Sequence, residues 1–200
     1  MVCPRLINVS FMIDDELREL ILGCVRGSRK SQEGIYRRLY GTMMAVCMRY
    51  TKNVDQAHDI LQEGFLKVFA NIGKYGFEGS FEGWVRRIMV NTAIDTFRKK
   101  RTDFVLLGED QSIEDYTEVA EDDDEEAEFE FTASDVVEAM QQLTPAYRTI
   151  FNLYVFENLT HVEIAERLGI SVGTSKSNYA KAKRNLKRIL TNDFRNRDDG

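Results

Sequence analysis

A stretch of 46 residues without a single Lys or Arg divides this chain into two parts. Between Thr102 and Tyr147 the sequence has 16 Asp or Glu residues, and the other 154 residues hold all 27 basic residues. Those two flanking parts carry a net charge of +10, although the whole chain carries −6. Like-charge repulsion prevents the most acidic part, from residue 109 to 130, from packing into a core. We therefore expect two folded blocks joined by a flexible acidic linker.

Helical periodicity runs through both blocks. Only two prolines, Pro4 and Pro145, occur in the chain, and alternating strand patterns are absent. We therefore predict an all-α protein made of two small helical domains. The predicted segments are an N-terminal tail at 1–13, a first domain at 14–101, the acidic linker at 102–133, a second domain at 134–190 and a C-terminal tail at 191–200.

Several classes of protein are excluded by what the sequence lacks. The longest uncharged run near the start, Leu6 to Ile13, is far shorter than the roughly 20 residues that span a bilayer. Acidic residues interrupt this run and no small-residue cleavage pattern follows, so no secretory signal is expected. The three cysteines have no CxxC spacing, which argues against a disulfide framework or a zinc site and favours a reducing cytoplasm: Cys3, Cys24 and Cys47.

No catalytic or metal-binding pattern is found either. The two histidines, His58 and His161, lie about a hundred residues apart, and neither has a cysteine at ligand spacing. A GxxxxGK[ST] phosphate loop is absent. We expect no enzymatic activity, no cofactor, no metal and no small-molecule substrate.

The segment from Leu159 to Arg188 has the pattern of a helix-turn-helix. Thr160 and Glu163 form a capping box, and Gly169 can take the left-handed conformation that ends a helix. A longer helix rich in Lys and Arg follows, as a DNA-binding recognition helix requires. A plain helical hairpin and a merely solvated basic surface remain the alternatives.

Three segments together resemble a known family. Asp55 to Phe65, Ser80 to Ile88 with Asn91 and Asp95, and Leu143 to Thr174 resemble, in this order, the signature segments of the extracytoplasmic-function sigma factors. These are small sigma-70-type initiation factors of bacterial RNA polymerase. The resemblance implies a factor that directs core polymerase to promoters. A two-domain helix-turn-helix repressor that acts without polymerase is the alternative.

The resemblance assigns two roles to the first domain. Asp59, Gln62 and Glu63 are expected to dock on the clamp helices of core polymerase. The residues expected to capture and hold the melted −10 element are Lys74, Tyr75, Phe77, Ser80, Arg87, Asn91, Arg98 and Lys99. Packing into the core is the alternative for the two aromatic residues of the turn, and Trp84 is assigned to the core.

The resemblance makes the second domain the reader of the −35 element. The residues expected at this DNA are Thr174, Lys176, Ser177, Asn178, Lys181, Lys183 and Arg184. Arg148 and Arg167 are either phosphate contacts or solvated charges. Two positions depart from the common family pattern, because Ser175 stands where an apolar residue is usual and Asn178 where an arginine is frequent.

The implied partners are core RNA polymerase, promoter DNA and an anti-sigma factor, which is either membrane-bound or soluble. In the family the linker leads toward the active-site cleft of the polymerase. The acidic linker of this chain either folds back on the basic faces of the free protein or serves as a solubilising spacer.

Overall fold

The computed structural model describes residues 15–106 and 131–198, with side chains for residues 15–99 and 131–192. Every regular element in these ranges is helical, which confirms the all-α prediction. The first domain contains α1 (Asp15–Val25), α2 (Arg29–Tyr50), α3 (Val54–Asn71), a short 3₁₀ helix (Ile72–Lys74) and α4 (Phe81–Leu106). The second domain contains α5 (Ala133–Gln142), α6 (Pro145–Val155), α7 (His161–Leu168) and α8 (Val172–Asp198). The predicted N-terminal tail and residues 107–130 of the predicted linker lie outside the described residues.

Two helices are longer than the sequence pattern indicates. Helix α4 continues to Leu106, past the expected end at Arg101, and α8 continues to Asp198, into the segment assigned to a tail. No Gly or Pro interrupts either extension.

Close packing of α3 against α4 builds the first domain. Gly64 of α3 lies directly against Met89 of α4, and a Cβ atom at position 64 would overlap the Met89 sulfur. Phe65 and Val68, on the same side of α3, are buried in the core as their helical spacing indicates. The opposite face of α3 is left in solvent.

A buried arginine holds the second domain together. Arg148 of α6 donates hydrogen bonds to the carbonyl oxygens of Met140, Gln141 and Leu143, at 2.9, 2.7 and 2.7 Å. These carbonyls lie at the C-terminal end of α5, where helix geometry leaves carbonyl groups without amide partners four residues on, and the Met140 carbonyl also accepts from the Leu143 amide at 3.2 Å. Burial lowers the pKa of the Arg148 guanidinium to about 10. Arg148 is therefore neither a phosphate contact nor a solvated charge, which corrects the sequence expectation, whereas Arg167 is exposed.

The two domains pack against each other. The main apolar core contains residues of all four helices of the first domain together with Ile150 and Leu153 of α6 and Ile164 and Leu168 of α7. A second, smaller core joins α5, α6 and α8. The sequence predicted two separate blocks and did not predict this shared core.

Candidate nucleic-acid and polymerase interfaces

The polar face of α3 is exposed as the helical spacing predicts. Asp59, Gln62 and Glu63 all lie in solvent. The Glu63 carboxylate forms an ion pair with Lys67 Nζ at 2.8 Å, and Lys67 Nζ forms a second ion pair with Asp95 of α4 at 3.4 Å. This ion-pair chain fixes one edge of the face.

An apolar residue on this face was missed by the sequence analysis. The Leu66 side chain is 71% exposed, three residues after Glu63 and four after Gln62, so it lies on the same side of α3. Single exposed apolar residues are common on protein surfaces, and this one lies beside the polar residues expected at core polymerase. The signal in the sequence is a leucine outside the register of the core residues.

Local hydrogen bonds form the helix-turn-helix. Thr160 Oγ1 accepts from the Glu163 amide, and the Glu163 carboxylate accepts from the Thr160 amide at 2.8 Å, which confirms the capping box. Gly169 has φ 63° and ψ 45°, the left-handed conformation that its position requires. Ser171 Oγ accepts from the Thr174 amide at 2.9 Å and caps α8.

The N-terminal half of α8 presents a polar face to solvent. Lys176, Ser177 and Lys183 are exposed. Thr174, Lys181 and Arg184 are half-buried along the borders of the same helix. Lysines and a hydroxyl at this place have the chemistry to contact phosphates and base edges.

The structure corrects the expectation for Asn178. Its side chain is only 2% exposed, and Nδ2 has no hydrogen-bond partner. Asn178 lies on the face of α8 that also buries Ser175 and Ala182 against the domain core. It therefore does not present its amide to DNA in this conformation. A signal for its burial was in the sequence: Asn178 lies three residues after Ser175 and four before Ala182, on one face of the helix.

A hydrogen bond replaces the apolar contact that is usual at position 175. Ser175 Oγ is 3.0 Å from His161 Nδ1, and the serine is fully buried. The His161 ring stacks on Tyr154 with centroids 4.6 Å apart, and Tyr154 contacts Tyr179 at 4.4 Å. Burial and the nearby Lys176 ammonium lower the pKa of His161. The polar residue at 175 thus fits a closely packed recognition helix.

The two aromatic residues of the turn before α4 differ in their exposure. Tyr75 is 6% exposed, its hydroxyl donates to the Gly79 carbonyl at 2.9 Å, and its ring contacts Phe81 and the half-buried Trp84. The expectation that Tyr75 presents a stacking surface is therefore corrected. Phe77 is 36% exposed and adopts a positive φ of 58°, with the Arg18 guanidinium 5.3 Å from its ring.

Exposed polar side chains surround this turn. Lys74 Nζ donates to Asn71 Oδ1 at 2.8 Å, and Ser80 Oγ accepts from the Gly83 amide at 3.2 Å at the start of α4. Four residues of α4 expected at DNA are exposed: Arg87, Asn91, Arg98 and Lys99. Arg87, Arg98 and Lys99 carry positive charge along this exposed side of α4, and Asn91 adds an amide. Positive charge together with an aromatic ring is the combination that binds single-stranded nucleic acid.

Neither metal-site nor membrane-span geometry was found in the described residues. Within 15–106 and 131–198, no group of three or more His, Cys, Asp or Glu side chains could hold a metal ion. In the same ranges, no helix is long and apolar enough to cross a membrane.

Comparisons with known proteins find two family matches along this chain and several related proteins. The Sigma-70 region 2 family matches residues 35–102 and the Sigma-70 region 4 family matches residues 134–186. The ECF RNA polymerase sigma factor SigW of Bacillus subtilis is 32% identical over 151 residues, which cover 72% of this chain and 81% of the relative. RNA polymerase sigma factor SigV of the same organism is 32% identical over 142 residues, covering 71% and 80%. The solved structure of CnrH in complex with the cytosolic domain of CnrY is 17% identical with a TM-score of 0.45, covering 90% of this chain and 99% of that chain.

Proposed function

Because this chain belongs to the extracytoplasmic-function RNA polymerase sigma factors of the sigma-70 family, we propose that each exposed surface has its own role in initiation. The protein is a transcription initiation factor that binds core RNA polymerase and directs it to promoters. Sigma factors as a class are initiation factors and not enzymes. The roles of individual residues are the content of the proposal.

The exposed face of α3 docks on core polymerase. The observation that carries this proposal is the combination of Asp59, Gln62 and Glu63 with the protruding Leu66. Docking would remove the exposed Leu66 side chain from water, which is favourable for an apolar group. The charged rim accelerates docking and sets its register, while Leu66 supplies buried apolar area.

The α3 proposal is tested by reversing one charge. Glu63→Arg should lower the affinity for core polymerase at least tenfold while helicity stays unchanged, because Glu63 lies on the proposed face and is largely exposed. Glu33→Arg is a matched control, since Glu33 is also exposed and also forms an i,i+4 ion pair, with Arg37. Full polymerase binding by Glu63→Arg would show that this face of α3 is not the docking surface.

The N-terminal turns of α8 read the −35 element in the major groove. Lys176 and Ser177 support this proposal, because they are exposed directly after the cap formed by Ser171. Thr174 and Lys181 lie beside them. Lys183 and Arg184, further along the helix, are placed at phosphates.

The turn and the exposed side of α4 hold the melted −10 element. Phe77 is the proposed stacking surface for an unpaired base, supported by its exposure and by its place in a turn rich in glycine. Lys74 and Ser80 flank it. The exposed polar residues of α4 are placed along the phosphates.

The repressor alternative is not favoured. It leaves the match of region 2 to residues 35–102 and the exposed face of α3 without a role. An anti-sigma partner and a cytoplasmic location stay predictions that follow from family membership. Affinity capture with the tagged protein from its own cells, in buffer with and without detergent, tests the anti-sigma prediction in its soluble and membrane-bound forms.

A further inference from the structure

The exposed aromatic ring in the turn before α4 is contacted by a residue of a different helix. The Arg18 guanidinium of α1 lies over the Phe77 ring, 5.3 Å from its centre. A guanidinium at this distance is attracted by the negative face of the ring. Among the residues whose side chains the structure describes, Arg18 forms no ion pair with a carboxylate. The Phe77 ring is therefore the observed partner of this exposed cation.

The backbone of Phe77 is strained. Its φ of 58° lies in the left-handed region, which bulky residues rarely adopt. Such a conformation persists only where the surrounding contacts fix it. A glycine at this position would form the same turn without strain, so the strain accommodates the phenylalanine ring itself.

Two anchored side chains fix the position of the ring. The Tyr75 ring lies 5.2 Å from the Phe77 ring, and Tyr75 is buried with its hydroxyl bonded to the Gly79 carbonyl. Arg18 is carried by α1, which the fully buried Ile21 anchors in the core and which also lies against the 3₁₀ helix before the turn. The Phe77 ring thus lies between a fixed aromatic side chain and a cation on an anchored helix.

The space beside this ring is open. Phe77 is 36% exposed, and a Cβ atom at Gly73, Gly76 or Gly79 would meet no heavy atom within 4 Å. The backbone on both sides of Phe77 therefore leaves room for a nucleotide. Sites for single-stranded nucleic acid combine an aromatic ring that stacks on a base with nearby positive charge, and Arg18 adds such a charge to this turn.

We propose that Arg18 is a positioning residue of the −10 reader, and that its cation holds the Phe77 ring in the orientation that stacks on an unpaired base. The proposal rests on the proposed function of the turn in strand capture. It brings α1, which has no part in the promoter contacts proposed above, into this site. Because Arg18 acts through the ring, its removal matters only while Phe77 is present. A cation–π contact at an exposed site corresponds to about two- to fivefold in an equilibrium constant.

NMR spectroscopy of the free, full-length protein tests the contact without DNA or polymerase. In wild type, nuclear Overhauser effects should join the Phe77 ring to the Arg18 side chain, and the Phe77 ¹³Cα and ¹³Cβ shifts should indicate a positive φ. Arg18→Ala should move both shifts toward ordinary backbone values and weaken the contact between the Phe77 and Tyr75 rings. Arg26→Ala removes another exposed arginine, just after α1, and should change none of these signals. Unchanged Phe77 backbone shifts and ring contacts in Arg18→Ala would overturn the proposal.

Open-complex formation by the holoenzyme tests the role in strand capture through a double-mutant cycle. Core polymerase is combined with each variant at a promoter mapped by in vitro transcription, and permanganate reactivity of unpaired thymines gives the open fraction. Arg18→Ala should lower the equilibrium constant for opening about two- to fivefold. Arg18→Ala added to Phe77→Ala should cause no further loss. Additive losses would show that Arg18 acts independently of the ring and would overturn the proposal.

Two further variants separate the remaining outcomes. Arg18→Lys keeps a cation that can bind the ring face, so it should recover part of the lost opening. A lysine variant as defective as Arg18→Ala would also overturn the proposal. Normal opening by Phe77→Ala would instead refute the proposed function of the turn, and the NMR comparison would still decide whether Arg18 positions the ring.

Discussion

The two regions that we propose as DNA contacts differ in how far their side chains already face solvent. The helix-turn-helix of the second domain is held by the capping box at Thr160, by Gly169 and by the cap at Ser171, and Lys176 and Ser177 already face solvent. The turn before α4 keeps Tyr75 inside the core and exposes only part of Phe77.

The difference follows from the DNA that each region meets. A duplex offers a fixed groove, so a rigid helix with outward side chains can read it without rearrangement. A melted strand offers separated bases that have to be captured, and a short turn rich in glycine can adjust around them. We therefore expect mutations in the second domain to alter duplex contacts. In the turn, we expect a mutation of Tyr75 to affect mainly stability and a mutation of Phe77 to affect mainly strand capture.

The largest expected effect is a loss of stability when Tyr75 in the turn is replaced. Tyr75→Ala should lower the free energy of unfolding by about 3 to 5 kcal/mol, because a buried aromatic ring and its contacts with Phe81 and Trp84 are lost. Tyr75→Phe keeps the ring and loses only the hydrogen bond to Gly79, at a cost of about 1 kcal/mol. Urea denaturation measures both.

Phe77→Ala, in the same turn, is compared with the two Tyr75 variants. It should lower stability less than Tyr75→Ala, because the Phe77 ring is more exposed, although its contacts with Tyr75 and Arg18 are lost. It should also reduce open-complex formation by about 1 to 3 kcal/mol, the value of one base stacked on an aromatic ring. Permanganate footprinting of unpaired thymines measures the effect. Normal opening by Phe77→Ala would place the captured base elsewhere.

A smaller effect is expected in the recognition helix. Lys176→Ala and Lys181→Ala should each weaken promoter use by roughly 1 to 3 kcal/mol if the lysine reads a base, and by less if it contacts only phosphate. Loss of a phosphate contact should lower the use of all promoters alike and reduce the salt dependence of binding. Loss of a base contact should affect some promoters more than others. Lys30→Ala, an exposed lysine of α2, is the control. Unchanged transcription by both variants would show that α8 does not lie in the major groove as proposed.

The smallest effect concerns the contact that seats the recognition helix. His161→Phe keeps the ring stacking but leaves the buried Ser175 hydroxyl without its partner, which should cost about 1 kcal/mol of stability. Adding Ser175→Ala removes the unpartnered hydroxyl and should recover part of the loss, as a double-mutant cycle of unfolding free energies would measure. Additive losses in the cycle would mean that the two side chains do not interact.

The same histidine gives the protein a pH dependence. The pKa of His161 is lower in the folded state than its ordinary value of about 6.5, so the unfolded state binds the proton more readily. Stability is therefore complete above that value and falls as the pH drops through 6.5 toward the folded pKa. His161→Phe should have a flatter profile between about pH 5 and 7. A wild-type profile in this variant would assign the acid sensitivity to other groups.

Features encoded within a few residues were predictable. The capping box needs only Thr160 and Glu163, and the end of α7 needs only Gly169, because these signals act through neighbouring backbone. The burial of Tyr75, Arg148 and Asn178 was not predicted. The contacts of Tyr75 and Arg148 come from residues only four to nine positions away, but they depend on how a turn and a neighbouring helix fold back, which no short motif signals. Each of these residues has a type that is common at DNA surfaces, and only the tertiary packing separates the two uses.

The contact between domains was also outside the reach of sequence reasoning. Arg49, Arg86 and Glu157 come from three separate segments, and nothing in their local pattern distinguishes them from solvated charges. The charge segregation along the chain did indicate two domains, but repulsion within the linker says nothing about whether those domains touch.

The central claim is that this protein acts through RNA polymerase, and in vitro transcription tests it most directly. Purified core polymerase and this protein are combined on a library of genomic fragments, and transcript starts are mapped. Discrete starts at a shared pair of upstream elements are expected only when both proteins are present, and they should be lost with Glu63→Arg. Sequence-specific duplex binding by the protein alone, with no effect on core polymerase, would contradict it and favour a repressor.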